Sequence, residues 1–257
     1  MVERLAALYD IHGNLPALEA VLEEVRRADI DQIVVGGDIV PGPMVGDVIA
    51  CLRKLEIPTE FIQGNCEVAV LSQLAGPEPE WYRSIPESAK ATMRWQAQQL
   101  HPEAHDLFRD WPMTCRVDVL GLGEVLFCHA TPRHENEIFT SRTPEERLLP
   151  VFEPLKVPLV VCGHTHMQFD RRIGGTRVVN AGSVGMPFGE PGADWLILGP
   201  GVELRHTSYD LDKAADRIRA TPYPEDFAER YVLKPPRAAE MLELFTTFSL
   251  QESAGRW

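Results

Sequence analysis

Five short stretches of this chain end in residues that ligate metals: Asp10-Ile11-His12, Gly37-Asp38, Gly64-Asn65, Cys128-His129 and Gly163-His164-Thr165-His166. Imidazole nitrogen, carboxylate oxygen and one amide oxygen together suit a borderline-hard divalent ion such as manganese, iron, zinc or nickel. Calcium would want oxygen alone, and a structural zinc site would want thiolates. No Cys-x-x-Cys pair occurs in the sequence. Two such ions roughly 3.5–4 Å apart clamp a phosphoryl group and generate a hydroxide nucleophile at neutral pH, so the chemistry to expect is two-metal hydrolysis. Taken singly, Gly-Asp and Gly-Asn pairs mark ordinary turns, and a lone histidine is most often a satisfied polar residue. Here four of the eight histidines follow apolar runs at these motif positions, which sets the pattern apart from scattered turns.

Ligands need rigid seats, and the patterning supplies them. Leu5-Ala6-Ala7-Leu8-Tyr9 is an unbroken apolar run, as expected of a strand buried on both faces, and Asp10 falls at its end. Pro16 suits a first helical turn, and Leu18, Val21, Leu22 and Val25 then recur at helical spacing. The unit repeats: Ile33-Val34-Val35 leads to Asp38, Val45, Val48, Leu52 and Leu55 mark a second helix, and Phe61-Ile62 forms a third strand before Asn65. Alternating strands and helices build a largely parallel sheet with ligands beyond the carboxyl ends of its strands, which brings Asp10, Asp38 and Asn65 together. Downstream, 114–120 and 124–128 flank Gly121-Leu122-Gly123 as a hairpin that delivers His129. Leu159–Cys162 is another buried strand, delivering His164 and His166, and Gly174-Gly175 turns a second hairpin within 171–180.

This order of motifs resembles the calcineurin-like metallophosphoesterase superfamily from residue 5 to about residue 209. More narrowly, Asp10–Leu18, Gly64-Asn65-Cys66 and Asn180–Val184 are similar to its small prokaryotic phosphodiesterase branch. The resemblance implies an α/β fold, an αββα sandwich of two mixed β-sheets flanked by helices. It also implies two divalent transition-metal ions, manganese the leading choice, with Asp10, His12 and His166 on one, Asn65, His129 and His164 on the other, and Asp38 bridging both. In-line attack on phosphorus by a metal-bridging hydroxide is the mechanism that arrangement implies.

One position departs from the family. Many members that cleave phosphomonoesters and phosphoproteins carry histidine after the motif asparagine, whereas this chain has Cys66-Glu67. A thiol, with an ordinary pKa of about 8.5, is a poor replacement for an imidazole poised near neutrality as the donor of a proton to the leaving oxygen. Substrates whose leaving groups are stable as anions suffer least, which favours a phosphodiesterase acting on small phosphodiesters or nucleotides. The alternatives are a phosphomonoesterase, protein phosphatases included, and a non-catalytic interaction module that keeps the fold. Cys66 and His134 are the candidate proton donors, and Arg133 is a candidate for steering a phosphate. Asn180 and Ser183 could hydrogen-bond a phosphate oxygen, and Phe188 could wall the site against a base or aryl group. The blander readings are a solvated loop for 133–134 and a tight turn for 180–188. His101, His105 and His206 read as surface residues.

Bulk properties set the limits. A chain of 257 residues can bury one large core, with appendages. We expect a single domain with its core over about 1–209, a helical insertion at about 71–112 and a C-terminal helical appendage at about 210–250. The insertion, with Trp81, Trp95 and Trp111, could overhang the site or cover the sheet. Met241, Leu242, Leu244, Phe245 and Phe248 form an apolar stripe that must pack on the core, over the metals or on another subunit, so a homo-oligomer is open. Residues 251–257 should fray. A net charge of −13 argues against non-specific binding to nucleic acid or an anionic membrane and favours small-molecule substrates. Five cysteines, most of them in apolar settings, the lack of a signal-peptide pattern and the lack of a membrane-spanning run point to the cytoplasm.

Overall fold

Leu5, Ala7 and Tyr9 belong to one apolar cluster and Ala6 and Leu8 to another, so the first strand is covered on both faces. That alternation organises the whole chain, which a computed structural model describes over residues 1–74, 76–224 and 226–250. The strands are β1 (Leu5–Leu8), β2 (Gln32–Val35), β3 (Thr59–Phe61), β4 (Thr114–Val119), β5 (Gly123–Cys128), β6 (Leu159–Cys162), β7 (Phe169–Ile173), β8 (Thr176–Asn180), β9 (Ala193–Leu198) and β10 (Val202–Thr207). They form two five-stranded sheets, in the orders β10-β9-β1-β2-β3 and β4-β5-β6-β8-β7. Inward residues of both sheets, among them Leu5, Ala7, Val34, Phe127, Val161 and Leu196, meet in a shared apolar layer. This is the expected αββα sandwich.

The helices are α1 (Leu15–Arg27), α2 (Val45–Leu52), α3 (Asn65–Ser72), α4 (Glu87–Gln99), α5 (Pro102–Asp110), α6 (Glu145–Phe152), α7 (Leu211–Arg219) and α8 (Ala238–Thr247). As the βα repeats predict, β1, β2 and β3 run parallel. Asn14 caps α1 by accepting the Ala17 N–H at 3.2 Å, a contact of a kind that contributes about 1 kcal/mol. In the second sheet β5–β6 and β6–β8 are parallel, while the hairpins β4–β5 and β7–β8 are antiparallel. The β9–β10 hairpin and α6 were not anticipated. β9 pairs antiparallel with β1, and α6 carries Pro150 in its interior, a residue that normally argues against a helix.

The insertion lies on the outer face of the first sheet: Met93, Ala97, Leu100, Ala104 and Phe108 share a cluster with Leu8, Val35 and the apolar face of α1. It also touches the loops around the ligands, since Gln96 accepts the Gly42 N–H at 3.0 Å and Trp81 Nε1 donates to Glu135 at 3.2 Å. Of the C-terminal apolar stripe, Phe245 is buried, Met241, Leu242 and Phe248 are half-buried and Leu244 is exposed. The segment 251–257, expected to fray, lies outside the described residues. No helix among the described residues is long and apolar enough to cross a membrane.

Candidate metal centre

All seven proposed ligands are buried and converge where the strand ends of the two sheets meet. Backbone hydrogen bonds lace these ends together: Asp10 N–H donates to Gly37 O, His12 N–H to Asp38 O and Gly163 N–H to His129 O, at 3.1, 3.0 and 2.8 Å. Two loops can approach so closely only because they carry glycine. A Cβ on Gly64 would lie 2.1 Å from Asp38 Oδ1, and one on Gly163 would lie 2.5 Å from Asp10 Oδ2.

The backbone itself is strained here. Among the described residues eight non-glycine positions have positive φ, and five of them are Asp10, His12, Asp38, His164 and His166, at 54°, 44°, 53°, 67° and 56°. Each such conformation costs about 1–3 kcal/mol and persists only where its surroundings impose it. Their concentration at the convergence point marks the site independently of any motif.

The polar geometry is that of a cation cradle. Three imidazoles point Nδ1 at a backbone carbonyl: His12 at Pro41, His129 at Gly36 and His166 at Met186, at 3.3, 2.8 and 3.0 Å. These partners assign the Nδ1–H tautomer and turn each Nε2 inward as a donor of electrons. There the nitrogens meet acceptors. His12 Nε2 is 3.3 Å from His166 Nε2, and His129 Nε2 is 3.0 Å from Asn65 Oδ1 and 3.4 Å from Asp38 Oδ2. Asp10 Oδ1, 3.2 Å from His166 Nε2, makes no hydrogen bond, and buried His164 Nε2 has no partner. Buried lone pairs facing one another are unfavourable unless a positive charge sits among them. The donor atoms of Asp10, His12 and His166 lie within 4.8 Å of one another, as do those of Asp38, His129 and His164, so the residues present fit divalent ions.

Titration obeys the same logic. Burial resists protonation of His12 and, with His166 nearby, pushes its pKa down to about 4; burial and His129 push His164 down to about 3. Burial also resists protonation of His129, but the facing Asp38 and Asp10 carboxylates prevail and raise it to about 10. Burial opposes ionisation of Asp38, yet His129 and His12 hold its carboxyl well below the usual range. Metal-free protein therefore carries a proton on His129 at neutral pH, and a ligating imidazole must shed it. We expect metal loading of the Asn65–His129–His164 group to release about one proton per protein near neutrality and its affinity to fall about tenfold per pH unit of acidification. Calorimetry in buffers of different ionisation enthalpy checks this, and loading without proton release would contradict it.

Several residues hold the ligands from behind. Glu67, fully buried, accepts the N–H groups of Asp38, Ile39 and Gly64, each at 2.8 Å. Burial and the facing Asp38 carboxylate push its pKa up, against the pull of those donors. Motif reading passed over Glu67 as a functional residue, although its place three residues after Gly64, at the capping-box position of α3, was a usable signal. Asn180 and Ser183, expected at a phosphate, are buried and hydrogen-bonded to the ligand loops: Asn180 Nδ2 donates to Gly163 O at 2.6 Å, and Ser183 Oγ donates to Asp10 O at 2.8 Å. Their hydrogen-bonding groups are taken up by the loops themselves.

The remaining candidates vary in position. Cys66 is buried with its sulfur near His12 and Asp38, and Asn65 Nδ2 approaches it at 3.5 Å. Burial and the adjacent Asp38 push its thiol well up, so it stays protonated. Arg133 is exposed and paired in two contacts with Glu137, while exposed His134 accepts the Asn136 N–H at 3.0 Å. Phe188 is half-buried and stacks on His166 with ring centroids 5.2 Å apart.

Comparison with known proteins agrees with this geometry. The family model of the calcineurin-like phosphoesterase superfamily domain matches residues 4–198. An uncharacterised protein of Methanocaldococcus jannaschii is 27% identical over 249 residues, covering 89% of this chain and 97% of that protein. The crystal structure of a metallophosphoesterase from Sphaerobacter thermophilus is 25% identical, covers 90% of this chain and 98% of its own, and superposes with a TM-score of 0.70. That of a hypothetical protein from Pyrococcus horikoshii, 24% identical over 88% of this chain and 96% of its own, has the same fold at a TM-score of 0.74. The match spans strands β1 to β9 and every ligand-bearing loop, and together with the donor groups it supports a metal-dependent phosphoesterase: the chain belongs to the calcineurin-like phosphoesterase superfamily.

Proposed function

We propose that this protein is a phosphodiesterase acting on small phosphodiester or nucleotide substrates at a two-metal centre. The ligands are Asp10, His12, Asp38, Asn65, His129, His164 and His166. The supporting observation is the convergence of these buried donors, with Asp10 Oδ1 and His164 Nε2 left without a hydrogen-bond partner, in a strained backbone that the fold maintains. A pair of divalent ions, manganese first among the candidates, would polarise a phosphoryl oxygen and activate water there.

The chain's own residues position the ligands and limit the choice of substrate. Asp38 Oδ2 lies 3.4 Å from His129 Nε2 and 3.9 Å from His12 Nε2, between the two donor groups and suited to serve both. The carbonyls of Gly36, Pro41 and Met186 keep three imidazoles in the ligating tautomer. Cys66, held neutral and weakly acidic, is a poor source of a proton for an alkoxide, so the leaving oxygen must depart as a stable anion. Aryl esters and the phosphoanhydrides of nucleotides meet that requirement better than alkyl esters. Free thiols at all five cysteines fit a reducing cytoplasm. Placing an imidazole at this position, Cys66→His, is expected to raise monoester hydrolysis relative to diester hydrolysis. An unchanged ratio in a folded, metal-loaded variant would contradict the role given to this position.

A further inference from the structure

The C-terminal appendage is built onto the metal centre. α8 and the residues after it are tied to the segment that succeeds His129: Thr246 Oγ1 lies 2.8 Å from Thr140 Oγ1, Ser249 Oγ lies 2.7 Å from Thr143 Oγ1, and Leu250 N–H donates to Ile138 O at 2.8 Å. Arg147 Nη2 donates to Ser249 O at 2.5 Å. On the other side, Gly189 N–H donates to Pro236 O at 2.9 Å, joining the start of the appendage to the loop that carries Phe188. That loop also grips His166, through Met186 O on Nδ1 and through Phe188 N–H on the His166 carbonyl at 3.3 Å.

A row of rings runs between these anchors. Phe188 stacks on the His166 imidazole at 5.2 Å between centroids and 26° between planes. Phe245 of α8, buried, lies against Phe188 at 6.0 Å and 32°. Nearly parallel rings at these spacings contribute attraction beyond apolar burial, and they restrict rotation of the ring at the end of the row. His166 is that end ring, with Nε2 facing Asp10 Oδ1 and His12 Nε2.

We propose that Phe245 and Phe188 are positioning residues that brace the His166 imidazole, so that the C-terminal helix tunes the Asp10–His12–His166 half of the centre and leaves the Asn65–His129–His164 half alone. The proposal rests on the two-metal reading above.

The test compares Phe188→Leu, which keeps apolar volume but cannot stack, with Phe188→Tyr, which can, and with Phe245→Ala. Metal-free full-length proteins are titrated with manganese alone, and the imidazole nitrogens are followed by NMR in the same metal-free samples. Supporting residues of metal ligands are typically worth about 10–100-fold in affinity. Phe188→Leu and Phe245→Ala should weaken one manganese-binding event about tenfold, leave the other unchanged and shift the His166 ring signals more than those of His129, with Phe188→Tyr close to the parent. Equal weakening of both events, or Phe188→Leu behaving like Phe188→Tyr, would reduce the stack to packing and overturn the brace. Should the parent bind no manganese, the two-metal reading fails; the metal-free spectra then still decide the brace, and unchanged His166 signals would overturn it.

Discussion

Asp38→Asn is expected to remove nearly all hydrolytic activity while leaving the metal-free fold intact. Asp38 Oδ1 accepts the Cys66 N–H at 2.8 Å, and an asparagine carbonyl can keep that bond. The other oxygen becomes an amide NH₂ aimed at His129 Nε2 and His12 Nε2, which lie 3.4 and 3.9 Å from it. Asp38 is the main cause of the raised His129 pKa, so its neutralisation lets His129 lose that proton and accept the new amide N–H, and thermal stability without metal should change little. The same change deletes the charge that both donor groups share. Partners one step removed from a metal typically cost about 10–100-fold in affinity or activity, and a ligand common to two ions should exceed that range. His129→Ala should also abolish activity, but it leaves a cavity and deprives Gly36 O of its 2.8 Å partner, so it should lose stability as well. Measuring kcat/KM beside the metal-free melting temperature separates the two effects. Full activity of metal-supplemented Asp38→Asn would contradict the role given to this residue.

The second large effect falls on Glu67. Its carboxylate is the partner of four buried N–H groups, those of Asp38, Ile39 and Gly64 at 2.8 Å and of Val40 at 3.4 Å, and so ties the Asp38 loop to the Asn65 loop. Each buried donor left unsatisfied costs about 1–3 kcal/mol, so Glu67→Leu should lose at least about 3 kcal/mol. For a domain whose net stability is about 5–15 kcal/mol this is a substantial share, and denaturant unfolding of the metal-free protein will show it. Glu67→Gln should fall between, since its amide oxygen can accept while its NH₂ faces other donors. Weaker metal binding should accompany both variants, because Asp38 and Asn65 lose their common anchor. A Glu67→Leu protein with parental stability and metal affinity would show that the two loops hold their shape without it.

Much of the centre was legible because each ligand sits at the end of an apolar run. Asp10 after Leu5–Tyr9 and His164 after Leu159–Cys162 are examples in which strand burial and ligand placement are written in one stretch of chain. The hidden features depend on contacts between distant segments. Pairing of β9 with β1, and the closure of the second sheet over the first, have no local signature, since a short apolar run fits either sheet. The left-handed backbone of Asp10, His12, Asp38, His164 and His166 was equally hidden, because Asp and His tolerate that conformation better than most side chains yet adopt it only where tertiary contacts impose it. Asn180 and Ser183 read from sequence as phosphate contacts or as a tight turn, and their hydrogen bonds to Gly163 O and Asp10 O depend on segments far away in the chain. The stack of Phe245, Phe188 and His166 joins three segments far apart in sequence, and the stripe on α8 gave no indication of which surface it would meet.

The most direct test is hydrolysis of a matched aryl phosphodiester and aryl phosphomonoester by metal-stripped protein, reloaded separately with manganese, iron, zinc or nickel. A metal-dependent phosphodiesterase should be inert when stripped, regain turnover on reloading and favour the diester. Turnover that survives stripping, or none with any ion despite confirmed binding and folding, would contradict the account.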